Sequence, residues 1–302
     1  MTELDNPQLL KKVIDSLELQ LGISGIHKAA NGLEFFILRG ELAGKPIAIK
    51  VPRDRVFSNV NDARIESRAL LDQEFALMRH LETQGILQIP TPMSDLDAAG
   101  FGALVMSYVP SDDSTPDDYK LGQLLASIHS ISPPALALSA QEGEEVPELI
   151  PHRLERRWKE LRAFVSDLPE LPSFGVLQAA LENTRQVKQL LHMDFRKANL
   201  RTAQGDILAV VDWSNALIGH PALELARAAE TGETGQRFLK GYASVNKVPL
   251  VDKLTETIFR LDTATMIALV FLSEAPDPEL APAFVGRVKE LSAGLQQQLP
   301  AV

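Results

Sequence analysis

Three residues suited to handling phosphate lie close together in the sequence. Asp194 and Asp212 each follow a short apolar run, Lys188 to Leu191 and Ile207 to Val211, and Asn199 comes five residues after the first of them. Phosphoryl transfer from a nucleotide calls for such a set. One carboxylate accepts the proton of the attacking hydroxyl, while an amide oxygen and a second carboxylate hold Mg²⁺ on the phosphates. The transferring group also needs a cation. Lys50 ends the run Ile47-Ala48-Ile49, where an ammonium can pair with α- and β-phosphates, and Glu74 on the following helical stretch is the carboxylate suited to hold it. Glu66, in the same stretch, is the competing partner. Taken singly, these residues are ordinary: a strand-end lysine, and an Arg196-Lys197 pair on a solvated loop. Their company gives them meaning.

The elements that must position them follow from the hydrophobic period. Asn6-Pro7 opens a stripe at Leu9, Leu10, Val13, Ile14 and Leu17 that Gly22 closes, which predicts a helix. Leu33 to Leu38 and Pro46 to Val51 predict a hairpin, with Gly40 to Lys45 as its turn. A long helix is expected over 62–81, and a short strand over 103–106. Beyond Pro110 the pattern is nearly all helical: 121–131, 153–165, 177–184, 223–229, 235–242, 253–272 and 283–298. The fold class expected is α+β, with a small sheet-bearing domain over 1–109 and a larger helical one over 110–302.

Composition bounds the partners. The chain has 302 residues, 45% hydrophobic and 23% charged, no cysteine and a net charge of -10. It is long enough for a substantial core, and its field repels nucleic acid and anionic lipid. No stretch approaches a membrane span and no cysteine awaits oxidation, so the expected location is cytoplasmic. The scattered histidines have no zinc-ligand spacing. No Gly-x-Ser-x-Gly or His-Glu-x-x-His motif supports a hydrolase or metalloprotease. Composition does not fix an oligomeric state.

His192-x-Asp194-x-x-x-x-Asn199, Asp212-Trp213 and Gly219-His220-Pro221-Ala222-Leu223-Glu224-Leu225-Ala226, in that order and spacing, resemble the aminoglycoside phosphotransferase and choline kinase family. Ala48-Ile49-Lys50, the Glu74 helix and Leu104 to Pro110 support the resemblance, which covers about residues 20 to 230. It implies a protein-kinase-like bilobal fold and transfer of phosphate from ATP or GTP, with Mg²⁺, to a hydroxyl of a small molecule. By position it implies Asp194 as base, Asn199 and Asp212 as Mg²⁺ ligands, Lys50 as phosphate anchor and Glu74 as its partner. Ser107 and Val109 offer a carbonyl and an N–H to the nucleotide base, and Asn31 and Gly32 lie in the turn where the nucleotide loop falls.

The chain departs from the family pattern where Gly22, Gly25 and Gly32 form no dense glycine loop, and at three single positions. Met193 stands where glycine is common, His220 replaces an acid, and Glu224 stands where an aspartate often braces the loop. Arg196 is two residues beyond the base, where its guanidinium can neutralise charge on the γ-phosphate. The acceptor is open: an antibiotic, as in resistance, or a metabolite. Asp262, Glu274 and Glu279 suit a cationic one. The alternative is a nucleotide-binding pseudokinase that recognises a partner.

Overall fold

In the computed structural model, residues 2–62, 64–85 and 88–299 are described. They form two compact units, one of Met1–Ser58, Arg64–Pro116 and Lys197–Ser214, the other of Asn59–Ala63, Asp117–Arg196 and Asn215–Val302.

The first unit opens with α1 (Pro7–Leu21). Its N-cap, Asn6, accepts the Gln8 and Leu9 N–H groups, and Gly22 ends it at φ 67°, as the cap signals predict. Strands β1 (Ser24–Asn31), β2 (Phe35–Leu42) and β3 (Lys45–Pro52) follow. Ala43 and Gly44, both at positive φ, make the tight β2–β3 turn within the expected 40–45 segment. The short β4 (Val56–Phe57) and β5 (Ile65–Glu66) pair with each other and lead into α2 (Ser67–Gln84), after which come β6 (Pro92–Ala98) and β7 (Phe101–Ser107).

The main sheet is antiparallel in the order β1-β2-β3-β7-β6. Side chains alternate across it. Ile47, Ile49 and Val51 pack with Val13 and Leu17 of α1, which leaves Lys50 on the opposite face. Both outer strands carry register shifts, between Ser24 and His27 and between Lys28 and Ala30 in β1, and between Pro92 and Ser94 in β6. Neither outer strand is expected from the hydrophobic period, because β1 is exposed almost throughout and β6 is only half-buried.

The later chain supplies α3 (Asp118–Ile128), α4 (Val146–Phe164), α5 (Phe174–Leu181), β8 (Gln189–Leu191), β9 (Leu200–Ala203), β10 (Asp206–Val210), β11 (Leu217–Gly219), α6 (Ala222–Glu230), α7 (Gln236–Ala243), α8 (Lys253–Leu269) and α9 (Leu280–Gln298). The β9–β10 hairpin belongs to the first unit. There Asp112 N–H donates to the Thr202 carbonyl at 2.9 Å and Val210 N–H to that of Gln88 at 3.0 Å. The expected helices are found with shifted ends. α4 begins seven residues early, since Pro147 fits a first turn, and the expected 253–272 helix passes into a π-helical turn over Val270–Glu274. Among the described residues no helix is long and apolar enough to cross a membrane.

The core of the second unit joins α4, α5, α6, α8 and α9 through residues such as Leu154, Trp158, Leu223, Phe259 and Leu291. α3 and α7 approach each other through glycine. A Cβ on Gly122 would lie 1.9 Å from the Phe238 carbonyl oxygen, and one on Gly241 2.0 Å from that of Tyr119. Neither clash can be relieved by a side-chain rotation, because both partners are backbone. Gly122→Ala is therefore expected to cost about 3 kcal/mol or more and to lower Tm by about 6 °C or more in calorimetric unfolding. A loss under 1 °C would contradict this close approach.

Candidate active site

In the first unit, the hairpin register sets the spacing of Asn199 and Asp212. Leu200 pairs with Val210, so the residues just outside that pair meet, and Val211 N–H donates to the Asn199 carbonyl at 2.9 Å. Asn199 closes a single 3-10 turn, Lys197–Asn199, and is 7% exposed. Asp212 adopts φ 66°, a left-handed bend that turns the chain sharply out of β10. The strand β9 that makes this arrangement is not expected from the sequence, because Leu200-Arg201-Thr202-Ala203 is not an apolar run.

Lys50 lies among these groups. Its Nζ donates to Glu74 Oε2 at 2.6 Å and to Asp212 Oδ1 at 2.7 Å, and the ammonium stands 4.3 Å from the centre of the Phe35 ring. Lys50 is 3% exposed and Glu74 1%. Burial works against the charged lysine, but the pull of Asp212 and Glu74 outweighs it and holds the Lys50 pKa above its ordinary value. Glu74 Oε1 also accepts the Trp213 N–H at 3.1 Å, and Ser214 Oγ donates to Asp212 Oδ1 at 2.7 Å. Glu74 is thus the lysine's partner; Glu66 is the residue that precedes α2. Ser214 and the Trp213 N–H were not among the expected site groups.

The remaining first-unit candidates sit at the sheet's ends. Ser107 closes β7, donating its N–H to Thr91 O at 2.9 Å and accepting the Thr91 N–H on Oγ at 2.8 Å. Val109 follows two residues later, and the Arg39 guanidinium stacks 4.2 Å from the ring of the intervening Tyr108. Asn31 ends β1. Gly32 donates its N–H to Phe35 O at 2.8 Å, and its carbonyl accepts from Arg53 at 3.1 Å.

In the second unit, Asp194 follows β8 in a loop held by Glu224 of α6. The Glu224 carboxylate accepts the His192 N–H at 3.0 Å and the Met193 N–H at 2.6 Å. His129 Nε2 meets Glu224 Oε2 at 2.8 Å, and His129 Nδ1 meets the Tyr242 hydroxyl at 2.8 Å. Asp194 N–H in turn donates to His192 Nδ1 at 3.2 Å. Burial opposes the Glu224 charge, but these donors prevail and hold its pKa below the usual carboxylate value.

Met193 has φ 62°, which explains why glycine is at home there. A methionine is retained under strain by its N–H bond to Glu224 and by a side chain only 2% exposed in the core. His220 does the work of a capping acid, its Nδ1 accepting the Ala222 N–H at the start of α6 at 3.1 Å.

Arg196 lies beside Asp194, with Nε 3.2 Å from Oδ2 and a side chain 54% exposed. Arg227 of α6, which the sequence did not single out, points at the same carboxylate, Nη2 being 3.9 Å from Oδ1. Of the acidic residues suited to a cationic acceptor, Asp262 and Glu274 are already engaged. Asp262 accepts from the buried Arg157 at 2.6 Å, Glu274 accepts from Asn61 at 2.8 Å, and Glu279 stands at the start of α9.

Residues 49–254 match the family model described as the phosphotransferase enzyme family. No curated protein matches the chain significantly. Among solved structures, the APH(2")-IIa complex with streptomycin and ATP aligns with TM-score 0.59 and 16% identity, over 98% of this chain and 99% of that one. A protein assigned as a fructosamine-3-kinase from Haemophilus somnus 129PT gives 0.64 and 12%, over 95% and 97%. An aminoglycoside phosphotransferase from Alicyclobacillus acidocaldarius gives 0.53 and 18%, over 92% and 93%. The α+β fold is thus kinase-like.

Glu224→Gln is expected to cost about 2 to 4 kcal/mol at pH 7, because two backbone donors and His129 lose a charged acceptor. A carboxylate whose folded pKa lies below its unfolded value, about 4.3, stabilises while ionised and loses that contribution as pH falls through the folded value. The Tm gap between wild type and Glu224→Gln is therefore widest near neutrality and closes below about pH 4. A gap that stays constant from pH 7 downward in calorimetric scans would contradict this role.

Proposed function

The chain belongs to the phosphotransferase enzyme family, and on that premise we propose that it transfers the γ-phosphoryl group of ATP, or of GTP, directly to a hydroxyl of a small molecule. The observation that carries this reading is the buried Lys50 ammonium held between Glu74 and Asp212. A lysine kept charged at 3% exposure is costly unless it serves an anion, and a nucleotide's phosphates are anions of the right kind.

In this reading Lys50 grips the α- and β-phosphates and Glu74 fixes its direction. Asp194 orients the acceptor hydroxyl and takes its proton, which lets the oxygen attack in line. Arg196 compensates charge on the γ-phosphate. Ser107 and Val109 offer main-chain groups to the purine, and Asn31 and Gly32 form the turn covering the phosphates.

Asn199 and Asp212 would hold Mg²⁺. Both offer hard oxygen donors, which suits this ion, and the Val211 N–H bond to the Asn199 carbonyl, one residue before Asp212, supports the pairing. Among the described residues no group of three or more His, Cys, Asp or Glu could hold a metal by itself. The fit is therefore to an ion whose shell phosphates and water complete, as Mg²⁺ prefers. When bound, it neutralises phosphate charge and polarises the transferring group.

Two measurements test the reading. Mg²⁺ with ATP or GTP at about a hundred times Kd is expected to add about 2.7 kcal/mol to wild-type stability, visible as a rise in Tm that Asp212→Asn abolishes. Asp194→Asn is expected to keep that rise while lowering phosphate transfer by about 10²- to 10⁴-fold. Equal transfer by Asp194→Asn would remove Asp194 as base. No Tm rise with either nucleotide would shift the assignment to a partner-binding protein.

A further inference from the structure

The charge around Asp194 bears on the acceptor. Arg227 projects from α6 one turn beyond Glu224, the residue that fixes the Asp194 loop. Its side chain is 19% exposed, and its Nη2 stands 3.9 Å from Asp194 Oδ1, too far for a hydrogen bond. Among the described residues its guanidinium has that one polar contact. A guanidinium carries five N–H donors in a planar fork, and among the described residues none of these meets a protein acceptor at hydrogen-bond distance. Two other arginines of this unit differ. Arg157 is saturated by Asp262, Asp62 and the Asn61 carbonyl, and Arg287 by Glu230 and Glu290.

We propose that Arg227 is the acceptor's anchor, and that the acceptor is a small hydroxylated molecule bearing an oxyanion, either a carboxylate or a phosphate ester. This rests on the phosphotransferase reading above, in which Asp194 receives the acceptor hydroxyl. The donor's phosphates have their own cations in Lys50 and Mg²⁺, whereas Arg227 faces the oxygen that meets the hydroxyl. With hydrogen bonds of about 2.8 Å at each end, an acceptor anion bonded to Nη2 lies at most about 10 Å from its reacting oxygen. A short carbon skeleton spans that distance. Asp262 and Glu274, two of the carboxylates that suited a cationic acceptor, are engaged by Arg157 and Asn61, whereas the guanidinium groups of Arg196 and Arg227 beside Asp194 suit a negative charge. Arg227 thereby acts as a specificity residue, its planar fork matching a carboxylate or phosphate edge.

The test uses matched acceptors: glycerate, glycerol phosphate, glycerol and aminopropanediol, then hexonates, sugar phosphates, neutral sugars and aminoglycosides. Calorimetric binding and Mg²⁺-ATP-dependent transfer are measured for wild type, Arg227→Met and Arg227→Lys. The expected result is that wild type selects anionic members. Arg227→Met weakens their Kd or KM by about 10- to 100-fold, and Arg227→Lys, which keeps the charge without the fork, weakens them less. The Kd for Mg²⁺-ATP stays within about twofold, since donor binding does not use this residue. Preference for carboxylate or phosphate members tells the two sources of oxyanion apart.

Wild type selecting neutral or aminated members, binding no anion, or matching Arg227→Met in its affinity for anions would each overturn the proposal. Anion binding that depends on Arg227 in a protein that neither binds nucleotide nor transfers phosphate would uphold the anchor while sinking the kinase reading.

Discussion

An ammonium cannot be buried without carboxylates to meet it, and much of the first unit is arranged to satisfy that constraint at Lys50. The alternation of β3 turns Lys50 away from the α1 core, α2 delivers Glu74, and the bend after β10 delivers Asp212. Three segments far apart in sequence are thereby tied at one point. A buried ion pair contributes little net stability compared with apolar packing, yet losing one partner is severe because the remaining charge is stranded. The arrangement makes more sense as preorganisation: the cation is paid for by folding and stands ready for a ligand's charge.

The second unit solves a different problem, that of holding an irregular loop still. Main-chain groups at His192 and Met193 lie outside helix and sheet ladders and need acceptors. One buried carboxylate, Glu224, takes both, and His129 and Tyr242 hold that carboxylate in turn. The same support lets a methionine occupy a left-handed position. These three departures from the family pattern thus have local physical accounts. Met193 trades backbone ease for core packing, His220 caps with nitrogen instead of oxygen, and Glu224 reaches the loop with one more methylene.

How much was legible in the sequence depended on the physical signal. α1 is written in its caps, Asn6, Pro7 and Gly22, and β2 and β3 in their apolar runs. Spacing marked Asp194, Asn199 and Asp212 because the connecting hairpin has a fixed length. The hairpin itself was half hidden, since β9 mixes Arg201 and Thr202 into a short strand whose burial is set by tertiary contact. β1 was invisible for the same reason, being exposed almost throughout. Arg227 carries no local signal at all. Whether a helical side chain reaches a loop tens of residues away is decided by packing, and periodicity tells only which face it shares.

The shifted registers of β1 and β6 have a consequence beyond local geometry. These are the two strands with one unpaired side, and a straight open edge invites another strand to dock, from a second copy or a partly unfolded chain. A bulge twists the edge and breaks the even row of donors and acceptors that such docking needs. Lys28 in β1 and Asp97 in β6 set charges along the same two borders. Both borders of the sheet thereby offer a poorer template for an added strand.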